Sequence, residues 1–69
     1  MVSGMPRKLR DLIADLRRAG FTQEPARGSH RKFRHPTGVT AIVSGHHEGV
    51  DVKPYQEKQI RQKIEETRP

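Results

Sequence analysis

Sixty-nine residues suffice for one small domain and leave no room for a second hydrophobic core. With 30% apolar residues and Phe21, Phe33 and Tyr55 as its aromatics, the chain has to build its core from a few aliphatic side chains, so a partner that binds the folded state would supply a large share of working stability. The absence of cysteine excludes a disulfide scaffold, a thiolate metal site and a thiol nucleophile.

Fourteen Lys and Arg against eight Asp and Glu give a formal charge of +6 and a pI near 10.6. The surplus is uneven: residues 1–47 hold nine basic and three acidic side chains, residues 48–69 five of each. Such a field reaches about 8–10 Å at ordinary salt and draws RNA, DNA or an acidic protein. Basic charge also serves solubility alone, so it selects a class of partner without naming a function. No apolar run approaches the roughly 18 residues that cross a bilayer, and the first residues lack the pattern of a signal peptide. The expectation is a cytoplasmic protein with no membrane association.

In chain order, residues 1–5 read as a flexible lead, residues 6–66 as the domain and residues 67–69 as a tail. From Pro6, Leu9, Leu12, Ile13, Leu16 and Ala19 recur at spacings of three and four, which predicts an amphipathic helix of about four turns. Pro6 suits its first turn, Arg17 and Arg18 the negative end of its dipole, and Gly20 its stop. Residues 21–26 form a short strand that Pro25 confines to an edge or an early end, with a turn at Arg27 and Gly28. Residues 29–35 follow as a strand placing His30, Lys32 and Arg34 on one face and Arg31, Phe33 and His35 on the other. Pro36, Thr37 and Gly38 turn the chain into residues 39–43, its most β-prone stretch, so the two strands form a hairpin. Residues 44–53 are a polar loop long enough for a binding role, anchored by Val50 and Val52. Pro54 opens a second helix with a thin apolar stripe of Tyr55, Ile60 and Ile64 and a surface pair Glu57–Arg61, fraying near Thr67. The order helix, three strands, helix predicts an α+β fold: a three-stranded antiparallel sheet with two helices on one face.

The run Gly28-Ser29-His30-Arg31-Lys32-Phe33-Arg34-His35-Pro36 carries the chemistry. RNA cleavage without a metal needs a group to take the 2′-hydroxyl proton, a group to protonate the departing 5′ oxygen, and cations for the developing phosphorane charge. His30 is the candidate base, and Arg31, Lys32 and Arg34 are the candidate RNA contacts. Cations around an imidazole also favour its neutral, proton-accepting form. The plainer alternative is a surface histidine on a basic strand. His35, sharing a face with Phe33, reads as a hydrogen-bonded structural residue. His46, in the long loop with His47, is a candidate acid or phosphate contact. Consecutive His46, His47 and Glu48 do not converge on one metal, and the scattered glycines form no phosphate loop, so neither a metal nor another cofactor is expected.

A short amphipathic helix ending in Ala19-Gly20-Phe21, then Gly28-Ser29-His30 followed by Phe33 and His35-Pro36, resembles the HicA (YcfA-like) toxin family over residues 6–66. The stretch Lys53-Pro54-Tyr55-Gln56-Glu57-Lys58 is similar to the start of the second helix in one branch. The resemblance implies a double-stranded-RNA-binding-domain-like fold and an mRNA endonuclease with its catalytic histidine at His30, Gly28 and Ser29 shaping the turn before it. It also implies a HicB-type antitoxin covering the active face, the toxin being monomeric when free and part of a hetero-oligomer when bound. Ser44-Gly45-His46-His47-Glu48 departs from the family's usual Pro-His-Pro stretch. The competing functions are a non-catalytic RNA-binding module of the same fold, in which the sparse aromatics argue against recognition by base stacking, and an interaction protein that docks only an acidic partner.

Overall fold

The computed structural model describes residues 7–25, 30–45 and 47–69, and the expectations for the lead at residues 1–5, for Pro6, for the turn at Arg27, Gly28 and Ser29, and for His46 lie outside them. Element order is α1 (Leu9–Arg18), β1 (Thr22–Glu24), β2 (His30–Arg34), β3 (Thr40–Ser44) and α2 (Pro54–Glu66). The strands form one antiparallel sheet in the order β1-β2-β3, so β2 is central, and β1 lies at an edge and ends at Glu24, before Pro25. This is the expected α+β, double-stranded-RNA-binding-domain-like arrangement.

Helix α1 is shorter than its apolar periodicity suggested, ten residues starting at Leu9 rather than about four turns from Pro6. The reason is competition for backbone groups. The Arg7 carbonyl accepts the Val52 N–H at 2.9 Å, and Lys8 bridges Asp51 in antiparallel fashion, so residues 7 and 8 are held extended. The Asp11 carboxylate then takes the Lys8 N–H at 2.8 Å and caps the first turn. Two further N–H groups that a helix start leaves unpaired are met by the loop after β3: Leu9 donates to the Val50 carbonyl and Arg10 to that of Glu48, both at 2.9 Å. The loop's length therefore serves to cap α1. Its anchors are as expected, with Val52 buried and Val50 packed against the core.

The other end of α1 closes with two nested bonds, Gly20 N–H to the Arg17 carbonyl and Phe21 N–H to that of Leu16, each 3.0 Å. This is the Schellman arrangement, and it requires the left-handed backbone that Gly20 adopts at φ 102°. Beside it His35 behaves as the structural residue expected. Its Nε2 lies 3.0 Å from the Ala19 carbonyl and its Nδ1 accepts the Thr37 N–H at 3.1 Å, while its ring tilts against Phe21. The His35 carbonyl also accepts the Gly38 N–H at 2.8 Å, closing the Pro36-Thr37 turn that joins β2 to β3.

Leu9, Leu12, Ile13 and Leu16 from α1 and Ile60 from α2 meet Phe21, Phe33, Ala41 and Val43 in one core. Tyr55 does not join the apolar stripe of α2 and is 59% exposed. Five residues separate it from Ile60, about 500° of helix turn, which puts the two on different faces. The stripe runs instead through Gln56, Ile60, Lys63, Ile64 and Thr67. The Glu57–Arg61 pair forms at 3.9 Å.

A side chain at Gly20 would force φ 102° on an L-residue and press its Cβ to 3.1 Å from His35 Nε2. Gly20→Ala is expected to cost roughly 1–2 kcal/mol, the left-handed penalty of one residue. For a domain of this size that lowers Tm by several degrees, on the order of 4–8 °C per kcal/mol, in a thermal melt; an unchanged melting temperature would contradict the assignment.

Candidate nucleic-acid interface

Strand β2 owes its two-sidedness to Phe33, which is fully buried. With alternation of side chains, burying Phe33 turns Lys32 and Arg34 to the opposite face, and His30 with them. Register then sets their neighbours. Arg34 lies between Thr22 and Thr40, Lys32 between Glu24 and Ile42, and His30 opposite Ser44. The helices cover the Phe33 side, so these residues form the sheet's open face, on which His30, Arg34, Ile42 and Ser44 are exposed.

Three of the expected site residues, His30, Lys32 and Arg34, are brought together there. Arg31 is on the helix side, and its Nη1 lies 3.0 Å from Glu48 Oε2, tying the start of β2 to the loop that caps α1. Gly28, Ser29 and His46 lie outside the described residues. His47 is exposed, and its Nδ1 accepts the Gly49 N–H at 3.1 Å, a local turn contact.

Two members of this face were not anticipated. Glu24 reaches from β1 to both cations, with Oε2 2.8 Å from Arg34 Nε and Oε1 3.8 Å from Lys32 Nζ. With Glu48 on Arg31, each of the three candidate RNA-binding cations has a carboxylate partner, so the purely positive surroundings expected for His30 are offset. Ser44 places its Oγ 3.2 Å from His30 Nδ1. Counting outward from the Pro36-Thr37-Gly38 turn pairs residue 30 with residue 44; ending the third strand at Val43 hid that neighbour. Glu24 follows only once the pairing of β1 is known, which no turn signal in the sequence fixes.

The face is open rather than concave. A groove of about 290 Å³ between α1 and α2 is lined by Arg7, Asp15, Glu57 and Arg61 among others, and another of about 500 Å³ lies between the β3 edge and α2; neither is lined by His30. The inter-helix groove is a charge network: Arg7 sits 2.8 Å from Asp15 and 3.6 Å from Glu57, and the hydrogen bond to Asp15 raises the Arg7 pKa above its ordinary value. An open strip with one imidazole and two cations suits a polymer backbone lying across a sheet better than an enclosed small molecule. Among the described residues no group of three His, Asp or Glu is placed to hold a metal ion, and no helix is long and apolar enough to cross a membrane.

A search among curated proteins finds no match. A family model described as HicA toxin of bacterial toxin-antitoxin matches residues 9–66, from the first residue of α1 to the last of α2. The chain belongs to the HicA toxin family and is the toxin of a toxin–antitoxin system, which implies an antitoxin as its partner.

Proposed function

We propose that this toxin is a metal-independent endoribonuclease that cuts mRNA on the open face of its sheet, with His30 as the catalytic base. The observation that carries the reading is the exposed imidazole of His30 at the end of the central strand, followed along the same face by Lys32 and Arg34. In the reaction His30 removes the proton of a ribose 2′-hydroxyl, O2′ forms a bond to phosphorus, and the bond from phosphorus to the 5′ oxygen breaks. The proton lost at O2′ balances the one taken up by the departing oxygen. The products are a 2′,3′-cyclic phosphate and a 5′-hydroxyl, and no water is consumed. Lys32 and Arg34 hold phosphate oxygens and offset the charge that builds on the phosphorane. Arg31, on the other face of β2, ties the loop after β3 to the strand through Glu48.

Glu24 does not forbid this. Exposed ion pairs are worth roughly 0.2–1 kcal/mol, so a phosphate can replace the carboxylate on Arg34 and Lys32 at small cost. It does mean that RNA competes with an internal anion. The antitoxin is of HicB type and covers this face in a hetero-oligomer, the free toxin is a monomer, and the pair works in the cytoplasm.

RNA incubated in EDTA with the wild-type protein should be cut, and His30→Ala should lower the rate by roughly 10²- to 10⁴-fold while RNA binding is retained. Equal cutting by both would remove His30 from catalysis. Binding without cutting by the wild type would favour a non-catalytic RNA-binding module.

A second expectation concerns the carboxylate between the cations. Glu24→Gln should tighten single-stranded RNA binding and steepen its dependence on log salt by about 0.7 for each additional phosphate held, and Lys32→Ala or Arg34→Ala should flatten it by a similar amount. Slopes that do not move in these variants would take the cations out of the RNA interface.

A further inference from the structure

We propose that Ser44 is a positioning residue for His30, its hydroxyl accepting the Nδ1–H so that Nε2 is the nitrogen left to take a proton; the inference rests on the catalytic reading of His30 above. The two side chains are direct cross-strand neighbours, paired by the β2–β3 register, with Nδ1 and Oγ 3.2 Å apart. Neighbours of that kind have Cβ atoms about 4.5–5.5 Å apart, so a short serine and an imidazole meet with no rearrangement of the backbone.

The other described histidines show why the partner's chemistry matters. Nδ1 of His35 accepts the backbone N–H of Thr37, and Nδ1 of His47 that of Gly49. A backbone N–H can only donate, so in each neutral ring the proton sits on Nε2, which then has no lone pair for base chemistry. His30 instead faces a hydroxyl, which has one donor and two acceptor positions.

Two arrangements are open to that pair. If Ser44 donates to Nδ1, the hydrogen bond is lost as soon as the ring becomes imidazolium, because both nitrogens then carry protons. If Ser44 accepts from Nδ1–H, the same hydrogen bond serves the neutral ring before proton transfer and the imidazolium after it. The second arrangement keeps the ring in place through the whole cycle and leaves Nε2 free at its start. Serine supplies this orientation without the negative charge that an acidic partner would place beside the substrate phosphate.

Nitrogen-15 NMR of the His30 ring, combined with RNA cleavage by the wild type, Ser44→Ala, Ser44→Thr and His30→Ala, tests the assignment. In the wild type the neutral ring is expected to carry its proton on Nδ1. In Ser44→Ala it should shift toward Nε2, with kcat falling roughly tenfold, the scale of one net hydrogen bond, and KM unchanged. Ser44→Thr, which keeps the hydroxyl, should restore both the tautomer and the rate. A wild-type ring protonated on Nε2, or a tautomer and kcat indifferent to Ser44→Ala, would overturn the role of Ser44 while leaving a His30→Ala loss of activity standing. If His30→Ala cuts as fast as the wild type, the catalytic reading itself falls, and the positioning role falls with it; that outcome is recognised by Ser44 variants that move the ring proton without moving the rate.

Discussion

Everything on the open face depends on one aromatic side chain being on the other. Among the described residues Phe33 is the largest fully buried side chain, and it lies in the central strand. Removing a phenyl group from water contributes about 1.5–3 kcal/mol, a sizeable fraction of what holds so small a domain together. Because successive strand residues point to opposite faces, a slip of one residue would expose Phe33 and send His30, Lys32 and Arg34 under the helices. The core therefore sets the orientation of the site, and the turn closed by His35 and Gly38 sets its register against β3.

A second constraint comes from having few apolar residues. The loop between β3 and α2 does several jobs at once: its carbonyls cap α1, Val52 extends the core, and Glu48 ties down Arg31 at the start of β2. Gly45 permits this closeness, since a Cβ there would stand 2.6 Å from a methyl group of Leu9. The strand end that carries His30 is thus connected through Arg31, Glu48 and the backbone of Arg10 to the first turn of α1. Polar contacts do the bracing that a larger domain would obtain from additional apolar packing.

The fold was legible because its signals are local and agree with one another. Leucines at helical spacing, Gly20 and Gly38 at backbone positions that need positive φ, and the alternation around Phe33 all act over a few residues. Non-local facts were less accessible. The true start of α1 is decided by Val52 and Asp51, more than forty residues away. The same division holds for the site. His30, Lys32 and Arg34 share a face by parity alone, whereas Glu24 and Ser44 arrive by strand pairing, and the pairing of Arg31 with Glu48 comes from the loop after β3.

The resulting face is more balanced in charge than the composition suggests. Of the chain's basic surplus, Lys32 and Arg34 lie beside His30, and both are shared with Glu24. In the proposed function RNA binds there by exchanging one anion for another, with the phosphate polymer favoured by the field of the whole basic surface. The most direct test is a chemical-shift map of the protein titrated with an RNA whose 2′-hydroxyl at the cleavage position is replaced by hydrogen. The largest changes are expected at His30, Lys32, Arg34, Ile42 and Ser44. Changes confined to Arg7, Arg18, Arg61 and Arg68 around the groove between the helices, with the open sheet face silent, would contradict it.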